Sequence, residues 1–460
     1  MIALLPRNGS ARCADDKPQT VSKTRREQLD TFNALTEPVS RHFSLESEDQ
    51  AVLLSQTEAY PLTDPTFLED PYPVYRRMRR RDPVYRSDAL GGWVLTRYDD
   101  VLAAFRNPAL SAQRAEVFAQ VQLRGSDPAL AADYLRITSG MMFVKDGQDH
   151  HRLRALGSRA FTVSGLQRWL PRVERVVDEL IEAVMPRGRM DLIGDLAGPL
   201  PAIVIAELFG IAPEDRERFH RWSMAFARFF GGSVGDPAEI ARAASEAAVH
   251  LERYFLDLLE DRRRQPGDDL MSLLLQGQAD GQLTPEEVSS QCILLLIGGH
   301  ITTVDQLGNT VLALLRHPEQ MGLLRDNPEL VRSAIEEGLR YDGTAQLAQR
   351  VAREDLVVRG KTIRNGEMLH LVLGAANRDP EVFVEPDRFD VSRAHNPHLA
   401  FGSGSHQCLG MNLGRSELEI SLGRLVQRMP RLRLDKERPM RRRMDSLALR
   451  GLESLPVRFD

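Results

Sequence analysis

A mainly α-helical fold with small β-sheets, gathered into a single large domain, is what the sequence predicts. Three observations carry that expectation. Val173 to Val184, Glu239 to Arg264 and Pro285 to Leu315 place apolar residues at helical spacing, with Pro and Gly clusters between them. Strand-like runs are short and few: Trp93-Val94-Leu95-Thr96-Arg97-Tyr98 after the Gly91-Gly92 turn, Leu356-Val357-Val358 before Arg359-Gly360, and Met368 to Leu373 after Asn365-Gly366. No composition break divides residues 60–460. Helices and strands interleave without a β-α-β rhythm, which argues against a doubly wound sheet, and no internal repeat is present.

In chain order, residues 1–58 read as a flexible extension and residues 59–460 as the folded domain. Met1-Ile2-Ala3-Leu4-Leu5-Pro6 is a short apolar stub without the charged and long apolar regions of an export signal, and Asn8 to Glu58 is polar and aperiodic. The 460 residues are 42% hydrophobic and 27% charged, enough to bury a large core. With 60 Lys+Arg against 65 Asp+Glu the net charge is −5, so there is no basic field to attract nucleic acid. Three widely separated cysteines, Cys13, Cys292 and Cys408, are too few to staple such a chain, which points to a reducing, cytoplasmic setting. The apolar run Ile293 to Ile297 stops at Gly298-Gly299-His300, short of the roughly 18 apolar residues that span a bilayer. No heptad pattern demands association, so a monomer away from membranes is expected.

The most informative stretch is Phe401-Gly402-Ser403-Gly404-Ser405-His406-Gln407-Cys408-Leu409-Gly410, directly before a helical pattern from Met411 to Met429. Backbone N–H groups at a helix start favour thiolate over thiol, and the glycines let backbone pass close to a flat ligand, a combination suited to binding iron through sulfur. Taken alone, Cys408 would more commonly be a small apolar core residue. Glu337 and Arg340, three apart in Glu337-Gly338-Leu339-Arg340, share a helical face; alone they would be a solvated pair. In Leu296-Ile297-Gly298-Gly299-His300-Ile301-Thr302-Thr303-Val304-Asp305 two adjacent glycines cost about 1 kcal/mol each against alanine, which suggests a groove or local opening. Thr302 either bonds back to the Gly298 carbonyl or turns its hydroxyl toward a ligand.

Over residues 60–460 these motifs, in this order, resemble the cytochrome P450 family. The resemblance implies heme b (iron protoporphyrin IX) with Cys408 as the axial thiolate, in a loop shaped by Phe401, Gly402 and Gly410. It implies that Glu337 and Arg340 form a buried cluster completed by Arg388 of Pro386-Asp387-Arg388-Phe389. It implies that His150 and Arg154, one helical turn apart, and Arg350 and His406 bind the heme propionates. Thr302 would be the oxygen-binding alcohol, beside the groove at Gly299. Family members usually carry an acid just before this threonine, where this chain has Ile301. Proton delivery then falls to Thr302 with water, to His300, to Asp305, or to a polar group on the substrate.

The family's substrate segments correspond here to residues 112–142, 226–234 and 344–349. From these, Phe118, Met142, Phe229 and Leu347 are candidates to line an apolar pocket and Gln346 to hold a polar group; each reads equally as core. The function implied is a monooxygenase that inserts one oxygen atom from dioxygen into a medium-sized, partly apolar small molecule in secondary-metabolite biosynthesis. Ile301 keeps oxidative coupling, desaturation or rearrangement open, on a carrier-protein-bound substrate among others; a non-catalytic heme sensor is the remote alternative. Electrons would come from a ferredoxin or flavodoxin with a nicotinamide-dependent reductase. The basic runs Arg76-Arg77-Met78-Arg79-Arg80-Arg81 and Arg441-Arg442-Arg443 are either solvated faces or docking points for that donor.

Overall fold

The computed structural model describes residues 2–4 and 59–460, apart from 162–164, 166, 231–234, 268 and 280–282. Cys13, most of the expected extension and residues 231–234 of one expected pocket segment lie outside the described residues. Residues 2–4 group with Pro61–Asp460 in the larger unit of the chain. In the larger unit Ile2–Leu4 pairs antiparallel with Leu356–Val358, so the first residues of the expected extension lie against the domain.

The larger unit is mainly helical, and its three strongest sequence patterns form helices: Leu170–Val184, Pro237–Arg264 and Pro285–Arg316. In the first of these Val173, Val176, Val177, Ile181 and Val184 are buried, the i, i+3, i+4 stripe of an amphipathic helix. The central helix Pro285–Arg316 starts at a full capping box: Thr284 Oγ1 accepts from the Glu287 N–H (3.2 Å) and Glu287 Oε2 from the Thr284 N–H (3.1 Å), with Pro285 at the first position. It packs against Pro199–Phe209, Pro237–Arg264, Val331–Tyr341 and Met411–Arg428. By length and composition it also meets the requirement for a membrane span, yet it is mostly buried in the core, as expected of a helix that is apolar all round.

Sheet is the minority element. The largest sheet has five strands in the order Val84–Ser87, Gly92–Leu95, Met368–Val372, Leu347–Ala352 and Leu110–Ser111. Gly92–Leu95 and Met368–Val372 are parallel, and the other pairs antiparallel. The strand expected over Trp93–Tyr98 ends at Leu95. Tyr98 instead opens the helix Tyr98–Arg106, whose first turn carries Asp99 and Asp100, placed to complement the helix dipole. This sheet carries Arg350 and Leu347, and the Cys408 loop is followed by the helix Met411–Arg428.

Candidate active site

Two left-handed glycines, Gly402 (φ +67°) and Gly404 (φ +76°), turn the cysteine loop. At Gly404 a Cβ would lie 3.1 Å from the Phe105 carbonyl oxygen. The Cys408 N–H donates to the Phe401 carbonyl (2.9 Å), and Arg154 Nη2 donates to the Gln407 carbonyl (2.6 Å). Cys408 lies just before Gly410, the N-cap of Met411–Arg428. Burial pushes its thiol up, against the opposing pull of the Gly410 and Met411 N–H groups and the cations Arg154 and Arg415. The helix-start donors expected from the sequence are in place, but burial outweighs them, so a bound cation is what would hold the sulfur as thiolate. Gly410 itself has no atom within 4 Å of where a Cβ would sit.

His150, from the helix Gly147–Ala160, and His406, from the cysteine loop, lie ring to ring at 4.0 Å. His406 Nε2 is 3.7 Å from Asp146 Oδ1. Burial, with His406 and Arg154 nearby, lowers His150 to about 4, and burial likewise lowers His406. Arg350 is buried, donates to the Gln349 carbonyl (2.8 Å), and lies over the Phe105 ring. The four expected propionate ligands thus converge on the cysteine loop and on Asp146, a residue that sequence reasoning missed. Burial raises the Asp146 carboxyl, but the nearby His406, with hydrogen bonds from Ser111, the Ala112 N–H and Arg353, outweighs that and holds it ionised.

On the central helix Gly298 is exposed although its surroundings are core, with no atom within 4 Å of a Cβ position. Thr302 Oγ1 donates back to the Gly298 carbonyl at 2.8 Å, the back-bonded alternative, and the helix continues unbroken through both glycines. Gly299 faces elsewhere, against Ile205. The two side-chain proton donors expected near Thr302 are corrected by the structure. His300 is buried two positions away around the helix, 5.1 Å from the His220 ring, and burial lowers it to about 4, so it is a neutral packing residue. Asp305 is no helix-surface acid either: fully buried, it accepts two hydrogen bonds from Arg443 (3.0 and 2.6 Å) and one from Thr344 (3.1 Å). An acid also missed is Glu417, buried on Met411–Arg428 and hydrogen-bonded to Thr303.

The Glu337 cluster exists with one member exchanged. Arg340 Nε and Nη2 donate to both Glu337 oxygens (2.7 and 2.8 Å), and both side chains are fully buried. The second guanidinium is Arg393, whose Nε donates to Glu337 Oε2 at 3.0 Å. Arg388 supplies only its carbonyl, to Arg340 Nη2, while its exposed side chain pairs with Glu385. Glu385 sits in a turn with φ +46°, and Arg388, three residues on, folds its exposed side chain back onto Glu385 and not onto the buried carboxylate.

Of the pocket candidates, Phe118 and Phe229 meet edge to face at 6.2 Å, and Tyr134 packs on both Phe229 (4.9 Å) and Phe226 (4.5 Å). Met142 is buried, its N–H donating to Gln291 Oε1. Leu347 is half-buried at the start of its strand. Gln346 departs from the role expected: its Nε2 donates to the Gly343 carbonyl (2.7 Å), and its Oε1 is pressed against Gly374, sealed in packing. Within the basic runs Arg79 is buried on the Ala375 carbonyl, Arg442 is buried and Arg443 holds Asp305, while Arg76, paired with Asp387, and Arg80, Arg81 and Arg441 are exposed.

Heme fits these residues on two observations. Cys408 is an exposed residue whose thiol the surrounding chain nevertheless desolvates, and His150 Nε2 is buried without a hydrogen-bond partner among the described residues, beside His406 and Arg154. A soft sulfur ligand next to unsatisfied donors suits a metal macrocycle with acidic edge groups, the chemistry of a heme-thiolate enzyme. Comparison with known proteins agrees. The family model described as Cytochrome P450 matches residues 218–451. A biotin biosynthesis cytochrome P450 of Bacillus subtilis strain 168 is 39% identical over 86% of this chain and 97% of its own length. The polyketide biosynthesis cytochrome P450 PksS of the same organism is 34% identical over 85% of this chain and 96% of its length. The crystal structure of P450BioI with an acyl carrier protein bearing hexadec-9Z-enoic acid superposes with a TM-score of 0.79, at 39% identity, covering 86% of this chain and 99% of that one. The chain belongs to the cytochrome P450 family, a heme b oxidoreductase of the monooxygenase type.

Proposed function

We propose that this enzyme inserts one oxygen atom from dioxygen into a medium-sized, partly apolar substrate in secondary-metabolite biosynthesis, as a soluble cytoplasmic protein fed by a separate ferredoxin or flavodoxin and its nicotinamide-dependent reductase. The observations that support this reading are an exposed Cys408 on a glycine-turned loop and an exposed Gly298 on the central helix, with the Thr302 hydroxyl bonded back to its carbonyl. Heme, when bound, supplies reductive activation of dioxygen. Cys408 would hold its iron, and His150, Arg154, Arg350 and His406 its propionates. Thr302 would turn its hydroxyl from the Gly298 carbonyl toward the pocket and hold a proton there. The aromatic cluster of Phe118, Tyr134, Phe226 and Phe229 would present apolar surface to substrate and exclude water. With His300 and Asp305 held in packing, protons reach Thr302 through water or a polar group on the substrate itself.

A carrier-protein-bound acyl substrate is supported by the P450BioI relative, whose structure contains such a carrier. Ile301, buried where the family has an acid, supports a second reading, in which the reaction is oxidative coupling, desaturation or rearrangement without oxygen insertion. The first experiment is the reduced carbon monoxide spectrum of wild type beside Cys408→Ser. A strongly red-shifted Soret band lost in the variant is expected, and a band indifferent to Cys408 would overturn the assignment. Turnover of free and carrier-linked acyl chains under ¹⁸O₂ then separates the two readings, because label in the product requires insertion.

A further inference from the structure

The cation that the family resemblance did not supply is Arg114, which opens the helix Ala115–Gln122 in the segment 112–142 that also carries Phe118. Its Nη1 donates to the Ala112 (3.0 Å) and Phe143 (3.1 Å) carbonyls, and the guanidinium lies over the Phe143 ring. Among the described residues no carboxylate lies within 4.0 Å of Arg114 or of Arg350, and Nε and Nη2 of Arg114 donate to no protein acceptor. Burial lowers Arg114 to about 9, with Arg350 adding to the effect, and burial lowers Arg350 to about 10. Asp146 is the acid nearest both, and it is already engaged by Ser111, the Ala112 N–H, Arg353 and His406. A buried Arg350 and a half-buried Arg114 that share one engaged carboxylate are electrostatically incomplete, because charge withdrawn from water is stable only when paired.

We propose that Arg114 binds a heme propionate and thereby docks the substrate-facing segment 112–142 onto the cofactor, so that heme loading and closure of that segment are linked. The inference rests on heme being the cofactor. Arg114 is a positioning residue: its Nη1 fixes the segment through two carbonyls, and its remaining N–H groups face the anion. A fork of donors can do both at once, whereas the single ammonium of lysine can keep the charge but not both arms.

The test compares wild type, Arg114→Gln and Arg114→Lys in four measurements: the rate of heme transfer to excess apomyoglobin, tryptic cleavage after the exposed Arg124 with and without heme, unfolding of the heme-free and loaded chains, and binding of a fatty acid and of its methyl ester. For Arg114→Gln we expect heme transfer at least tenfold faster than wild type, cleavage after Arg124 even when loaded, and a smaller loss of stability in the heme-free chain than in the loaded one; Arg114→Lys should recover part of the heme retention. Transfer rates within twofold of wild type would overturn the proposal. So would an equal loss of stability in the heme-free Gln variant, which would make Arg114 a structural cap only. So would retained heme with weakened binding of a fatty acid but not of its methyl ester, which would assign the anion to substrate. Wild type that takes up no heme would instead refute the cofactor reading.

Discussion

Glu417 shows how a single buried group couples this fold to pH. Burial raises its carboxyl from the ordinary 4.5 to about 8, with the Thr303 hydroxyl pulling the other way, so at neutral pH it is an uncharged acid. The native chain therefore keeps a proton that the unfolded chain releases above pH 4.5. The stability this provides is full below that value and declines as pH rises toward 8, by about 1.4 kcal/mol per pH unit from this group. Glu417→Gln keeps the shape without the titration, so denaturant unfolding at pH 5, 6 and 7 should show that part of the slope removed; an unchanged slope would place the titration elsewhere. Asp305 is the contrasting case. Burial raises it to about 6, against the pull of Arg443 and Thr344, and Asp305→Ala would leave the buried Arg443 with only the more exposed Asp445, 3.4 Å from its Nε, as an acidic partner. A loss of about 3–5 kcal/mol is expected by thermal or denaturant unfolding. Neither environment could be read from the sequence. Helical spacing puts Asp305 on the face of Ile301, but only the fold brings Gly451 and Arg443 onto that face, so closely that a Cβ at Gly451 would lie 1.9 Å from Asp305 Oδ1.

Among elements, the central helix balances stability against site access at Gly298. Alanine there meets no atom within 4 Å and removes the helix cost of glycine, so Gly298→Ala should stabilise the heme-free chain by about 0.5–1 kcal/mol. The added methyl would project from the edge that carries Thr302. The same substitution is therefore expected to lower the yield of product per reduced nicotinamide consumed, read by comparing nicotinamide oxidation with product formed. The long helices were legible in the sequence because their apolar period repeats over many turns, and Thr284-Pro285 with Glu287 announces a start from residue type alone. The two-residue strand Leu110–Ser111 and the strand Leu347–Ala352 were not, since their pairing is supplied by Met368–Val372 and its neighbours across the sheet, not by local pattern.

At the scale of the whole molecule, Glu337 joins the helix Val331–Tyr341 to the chain leading into the cysteine loop, accepting from Arg340, Arg393, the Asp390 N–H and Asn396. Arg340 ties the same cluster to the carbonyls of Asn377, Pro386 and Arg388. Family resemblance located the buried pair and the segment that answers it. It misassigned the answering residue, because five positions along an irregular chain decide whether a guanidinium points inward, and no periodicity reports that. The difference can be measured. Arg393→Ala removes one partner of a fully buried carboxylate and should destabilise by about 3 kcal/mol or more, with heme content falling alongside as the loop before Cys408 loses its anchor. Arg388→Ala removes an exposed pair with Glu385 and should stay within about 1 kcal/mol of wild type, with full heme content. Unfolding and heme content of the two variants side by side check both. Equal effects, or a larger one from Arg388→Ala, would mean that the cluster is assembled as the family resemblance implied and not with Arg393 as its second cation.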